Sequence, residues 1–184
     1  MRFQTRILTG AAVAVMVSVL GSLRPTTTAY AQSSASELDD PTIVAIFDAA
    51  NTYDIETGAL AVKKGHSSDV RDFGGMLVRD HKNVRAQGRE LAKSLHVTPT
   101  PPRNFALAKA HVAAMTSLRA AKGRAFDRVF LQHEVDFHNA VIDAISKTLL
   151  PAIQNVQVKD LVTKVAPAFG AHRDRAQVLL EGLK

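Results

Sequence analysis

The stretch FDRVFLQHEVDFHNAVIDAI, Phe126 to Ile145, decides the fold, because it reads as most of one long helix with an acid and an imidazole on its apolar side. At about 100° per residue, Leu131, Val135, Ile142, Ile145 and Leu149 project within a narrow arc of His138, and Glu134 lies about 40° away. Both polar residues therefore point into a core. An unsatisfied buried polar group costs about 1–3 kcal/mol, and a charge costs more, so this pair requires partners from elsewhere in the chain.

The chain has 184 residues, 46% hydrophobic and 22% charged, with no Trp and two Tyr. That length fits one domain with a sizeable core, and the Ala- and Leu-rich composition favours closely packed helices over a sheet. Before that domain, Arg2 and Arg6 precede an apolar run from Ile7 to Leu20, and Ala29-Tyr30-Ala31 forms a small-x-small site. This is the pattern of a secretory signal peptide over residues 1–31, short for a spanning helix and interrupted by Thr9, Gly10 and Ser18. The expectation is a periplasmic or secreted protein after cleavage near Ala31, with no stable transmembrane segment and a flexible tail over residues 32–38. The chain has no cysteine, which excludes disulfides, thiolate ligands and a lipid-modified cysteine. Its net charge of +6 falls to +3 once Arg2, Arg6 and Arg24 leave with the leader. With basic residues dispersed and few aromatics, no nucleic-acid partner is expected, and an envelope protein is the more natural one.

The mature domain, residues 39–184, reads as four long helices and one short one. Asp39 or Asp40 caps the first, with Pro41 in its first turn and an apolar stripe through Ile43, Ile46, Phe47, Ala50, Tyr53, Thr57, Leu60 and Ala61. Glu56 lies beside that stripe, about 40° from Leu60, either inward or at its edge. Ser67 or Ser68 caps a second helix running to about His96, with His81 amid Val70, Leu77, Val84, Leu91 and Leu95. Thr98-Pro99-Thr100-Pro101-Pro102 cannot continue a helix and marks a crossover. A short helix from about Asn104 to Arg119 follows, then the long helix from about Arg124 to Leu150. A last helix, roughly Val156 to Leu183, turns His172 inward five residues after Pro167. The fold expected is all-α, a four-helix bundle with an additional short helix in the crossover.

At about 1.5 Å per residue, Glu56 stands roughly 16 Å and His81 roughly 21 Å from the turn near Ser67. Glu134 and His172 stand roughly 28 Å, and His138 roughly 22 Å, from the turn near Ile153. Each hairpin thus gathers its own polar residues, while spacing says nothing of how the two hairpins align. Asp127 also faces the core side, as a cap or partner for a neighbouring helix, and His66, His96 and His133 read as structural or exposed.

The leader, Glu56, the Asp80-His81 pair, Phe126-Asp127, His138, and Pro167 with His172 resemble the bacterial domain of unknown function 4142 family over about residues 39–183. The resemblance implies an exported, ferritin-like four-helix bundle whose activity is not established. Ferritin-like di-iron sites use two Glu and two Glu-x-x-His motifs. This chain has no Glu-x-x-His, and its inward set of Glu56, His81, Glu134, His138 and His172 is richer in imidazole. Such a set suits one divalent transition ion, Fe, Zn, Mn or Cu, for envelope or stress physiology. The competing reading is a non-catalytic structural or interaction module, in which Glu56 and Glu134 accept hydrogen bonds from the three histidines and only fix helix packing. No nucleophile elbow, phosphate-binding glycine loop, His-Glu-x-x-His or dinucleotide fingerprint is present, so no reaction class is assigned.

Overall fold

A computed structural model describes residues 38–183. It comprises α1 (Asp40–Lys64), α2 (Ser68–Ser94), α3 (Ala106–Ala120), α4 (Gly123–Ala144), a π-helical turn (Ile145–Leu149), the short α5 (Leu150–Ala152) and α6 (Val156–Gly182). The leader and nearly all of the tail lie outside the described residues. No strand occurs among the described residues. Helices α1 and α2 form one hairpin, α4 and α6 the other. Helix α2 packs on α6 and α1 on α4, which closes a four-helix bundle, while α3 lies against α1 and α4 within the crossover. One long crossover is the topology of ferritin-like bundles.

Local chemistry sets the ends of the helices. Asp39 is the N-cap of α1 and accepts from Thr42 N at 2.9 Å. Ser67 caps α2 through Val70 N at 3.2 Å, and Asn155 caps α6 through Gln157 N and Val158 N. His96 closes α2 in the left-handed conformation (φ 54°), with Val97 N donating to Ala92 O. The long helix expected to reach Leu150 leaves α-geometry at Ile145. Pro151 cannot donate to the Lys147 carbonyl and its ring crowds that turn, and the helix widens just ahead of it so that Leu150 N bonds Ile145 O. Helix α6 continues through Pro167, which is exposed, so the carbonyl that the proline leaves without a helical donor, Thr163 O, is on an exposed residue.

Two aspartate contacts, one of them buried, fix the axial register between the hairpins. Asp127 of α4 is fully buried and accepts from His66 N (2.7 Å) and Ser67 N (2.9 Å) in the α1–α2 turn. Asp40 of α1 accepts from Gln154 N (2.9 Å) and Asn155 N (2.8 Å) ahead of α6. Each hairpin's turn is thus held by a carboxylate of the other, with charge-assisted bonds to backbone donors that a helix start leaves open.

Helices α1 and α2 approach closely where Gly58 meets Gly74. A Cβ on Gly74 would stand 2.7 Å from Gly58 O and 2.8 Å from Ala61 Cβ, whereas one on Gly75 would meet nothing nearer than 3.5 Å. Gly74→Ala is therefore expected to destabilise by about 1–3 kcal/mol through overpacking. Gly75→Ala should be neutral or stabilising by up to about 1 kcal/mol from helix propensity. Urea denaturation of the two variants checks this contrast, and equal effects would contradict the close crossing.

The core is divided in two. Around the α1–α2 turn, Ala61, Phe73, Leu77, Phe126, Phe130 and Leu131 pack together. At the other end, Ile43, Ala92, Ile145, Val162, Val165 and Phe169 form a second cluster. Between the two, at mid-height, lies a buried polar layer contributed by all four long helices.

Candidate metal centre

The layer contains His81 of α2, Glu134 and His138 of α4 and His172 of α6, together with Asn51, Asp54 and Thr57 of α1, all buried. Four of the five residues expected from the sequence meet here. Glu56 does not: it is half exposed and pairs with His111 Nε2 of α3 at 2.8 Å, on the outer side of α1. The inward carboxylate of α1 is Asp54, two residues earlier and about 160° around the helix. The Gly58–Gly74 contact turns α1 so that Asp54, Gly58 and Ala61 face inward and Glu56 faces out.

Each histidine has one ring nitrogen committed to an acceptor. Asn51 Nδ2 donates to Phe47 O at 2.8 Å, which leaves its Oδ1 to accept from His81 Nδ1 at 3.0 Å. His138 Nδ1 donates to the Glu134 backbone carbonyl at 2.9 Å. His172 Nε2 donates to Asp80 Oδ2 at 3.0 Å, on a carboxylate that is 45% exposed. A carbonyl or carboxylate can only accept, so each of these nitrogens carries the proton and the other carries a lone pair. Those remaining nitrogens, His81 Nε2, His138 Nε2 and His172 Nδ1, are all buried without a hydrogen-bond partner. One ligand nitrogen from each ring lies within 4.8 Å of the other two. The three rings meet with centroids 5.0–5.8 Å apart.

Carboxylates complete the group. Asp54, Glu134 and His138 form a second set with ligand atoms within 4.8 Å of one another, sharing His138 with the first. Glu134 Oε1 accepts from Thr57 Oγ1 at 2.9 Å, and the carboxyls of Asp54 and Glu134 lie against each other, where they can bond only if one of them carries a proton. Asp54 Oδ2 faces His81 Nε2 at 3.4 Å. Two acceptors so apposed are favourable only with a cation between them, either a proton held by Asp54 or a metal ion.

The electrostatics of the metal-free protein follow from burial. Desolvation holds the His81 imidazole down at about 2 and the His138 imidazole at about 3, each reinforced by His172 nearby, so both rings are neutral. The same burial pushes Glu134 up to about 8 and raises Asp54 well above the usual carboxylate range, the latter also through repulsion by Glu134. Neutral imidazoles beside two buried carboxyls are a donor set that a transition ion fits.

Sequence reasoning placed Thr57 on the inward stripe but missed Asn51 and Asp54, although an Asn, an Asp and a Thr at three-residue steps put three polar groups along one side of the helix. Asp80 entered only as the neighbour of His81. His133, read as structural or exposed, is half-buried on the side of α4 that α3 covers; burial, with His111 close by, lowers it to about 4. His111 is buried and stacks on Tyr53 at 4.1 Å, outside the cluster.

A four-helix bundle with a buried three-histidine, two-carboxyl layer is the class of protein that fold and site define. The chain belongs to the family described as Domain of unknown function (DUF4142), whose profile matches residues 25–179. No curated protein and no solved structure shows significant similarity to it. No described helix is long and apolar enough to cross a membrane.

Proposed function

We propose that the protein is an exported metal-binding bundle, holding one divalent transition ion, Fe, Zn, Mn or Cu, through His81, His138 and His172, with Asp54 and Glu134 as the carboxylate side. The observation that carries this reading is the set of three imidazoles, each fixed through one nitrogen, whose other nitrogens are buried without partners. A network serving only to fix helix packing would satisfy those atoms. Instead the histidines bond Asn51, a backbone carbonyl and Asp80, none of them bonds Glu56, and the lone pairs are left over. An ion so held supplies Lewis acidity and, if redox-active, one-electron chemistry.

Thermal denaturation tests the reading. Chelator-treated protein should gain stability on addition of one equivalent of a fitting ion, about 2.7 kcal/mol when free metal stands at 100 times its Kd. An unchanged melting temperature across Fe, Zn, Mn and Cu would contradict it. Asp80 orients His172 from outside the site, so Asp80→Ala should weaken the metal by about 10–100-fold and leave one ion per chain at saturation, as read by titration calorimetry.

The leader pattern supports export, and envelope or stress physiology is the setting proposed for such a centre. N-terminal sequencing of the mature protein should begin at Gln32, and a membrane-bound product that retains Met1 would contradict export.

A further inference from the structure

An apolar pocket of about 160 Å³ adjoins the polar layer on its α3 side. Ile46, Phe47 and Ala50 of α1, Leu107 of α3, and Ile145 and Leu149 of the π-helical turn line it. Its mouth lies by the exposed Ala140 and half-exposed Ala144 of α4. The pocket and the metal cluster share walls. Asn51 lines the pocket and bonds His81, while the Phe169 ring lines it and stands 5.5 Å from His81 and 6.0 Å from His138.

Chemistry restricts what can enter. Among the described residues that line it, Asn51 alone has a polar side chain, and one N–H and one lone pair of its amide are already engaged, with Phe47 O and with His81. A hydroxyl or amide placed anywhere in the pocket but against Asn51 would find no side-chain partner, at about 1–3 kcal/mol per group left unsatisfied. An apolar cavity of about 150 Å³ stays dry and accepts benzene. The π-helical turn supplies the end wall through its two buried residues, Ile145 and Leu149, and such insertions often mark functional sites.

We propose that this pocket binds a small apolar molecule, the size of benzene or a six-carbon alkyl group, against the Asn51–His81 and Phe169 wall of the histidine cluster. The substrate or effector of the centre is thereby an apolar one, a conclusion that rests on the metal-binding reading, whereas the pocket's occupancy does not.

Benzene titrated into the chelator-treated mature protein is the first arm. Saturable binding should raise the melting temperature by about 3–5 °C at ten times its Kd. Ala140→Phe and Ala144→Leu, both at the mouth, should lower benzene affinity at least tenfold. Their metal stoichiometry should stay that of the parent. Absence of saturable binding, or undiminished affinity in both variants, overturns the proposal. The second arm loads the protein with Co²⁺ and adds benzene. A shifted d–d absorption band, lost in Ala140→Phe, supports contact between pocket and centre; an unshifted band with Co²⁺ and benzene both bound overturns it. Failure of Co²⁺ and of Fe, Zn, Mn and Cu alike to bind would overturn the substrate assignment along with the metal reading, while the first arm would still decide the pocket.

Discussion

Replacing His138 with alanine is expected to abolish stoichiometric metal binding, with a loss of affinity well beyond about 100-fold. His138 belongs to both candidate ligand sets, joining the histidines to Asp54 and Glu134. Its loss removes one of three nitrogens and uncouples the carboxylate side from the imidazole side. Changes outside the coordination shell already cost about 10–100-fold, so loss of a shared ligand should exceed that. His111→Ala is the control, because His111 is also buried yet bonds Glu56 away from the cluster. Both variants remove a buried ring and should lose about 1–3 kcal/mol of metal-free stability. Only His138→Ala should lose the ion. Titration calorimetry separates the two, and equal metal binding by both would contradict the assignment.

The second large effect is on stability against pH. In the fold His81, His138 and His133 are neutral down to about 2, 3 and 4, whereas in the unfolded chain they take up protons below about 6.5. Their contribution is present above 6.5 and is lost as pH falls toward those values, each proton weighing about 1.4 kcal/mol per pH unit. The carboxyls act in the opposite sense. Glu134 keeps its proton to about 8, and Asp54 well beyond the ordinary range, while unfolded they ionise near 4. Their contribution is present at low pH and is lost as pH rises toward 8. The metal-free protein should accordingly be most stable near pH 6, declining on both sides, below pH 5 and between 6.5 and 8, with comparable slopes. Urea denaturation in chelator across pH 4–8.5 checks this, and stability that climbs steadily from 6.5 to 8.5 would contradict the buried carboxyl pair. A bound ion should remove the alkaline decline, because the carboxylates then hold metal in place of protons.

Much of this architecture is legible in the residues. Asp39, Ser67 and the proline run announce helix starts and the crossover through local chemistry, which tertiary contacts do not disturb. His81, Glu134, His138 and His172 stand out because a polar group in the middle of an apolar arc is visible from periodicity alone. Asp54 is not, since the orientation of α1 depends on its Gly58–Gly74 approach to α2, a contact between residues 16 apart that rotates the buried arc away from Glu56. Spacing could place polar residues within each hairpin but not align the hairpins. That alignment comes from Asp40 and Asp127, each reaching backbone donors 60 or more residues away. The π-helical turn is hidden for a related reason: Pro151 predicts an end to the helix, and the structure absorbs it as one widened turn.

Elemental analysis of untagged mature protein from its natural compartment, beside the His138→Ala, His172→Ala double variant, tests the central claim most directly. One equivalent of a transition metal per chain in the parent, absent from the variant, is the expected result. No metal in the parent, or the same amount in both, would contradict it.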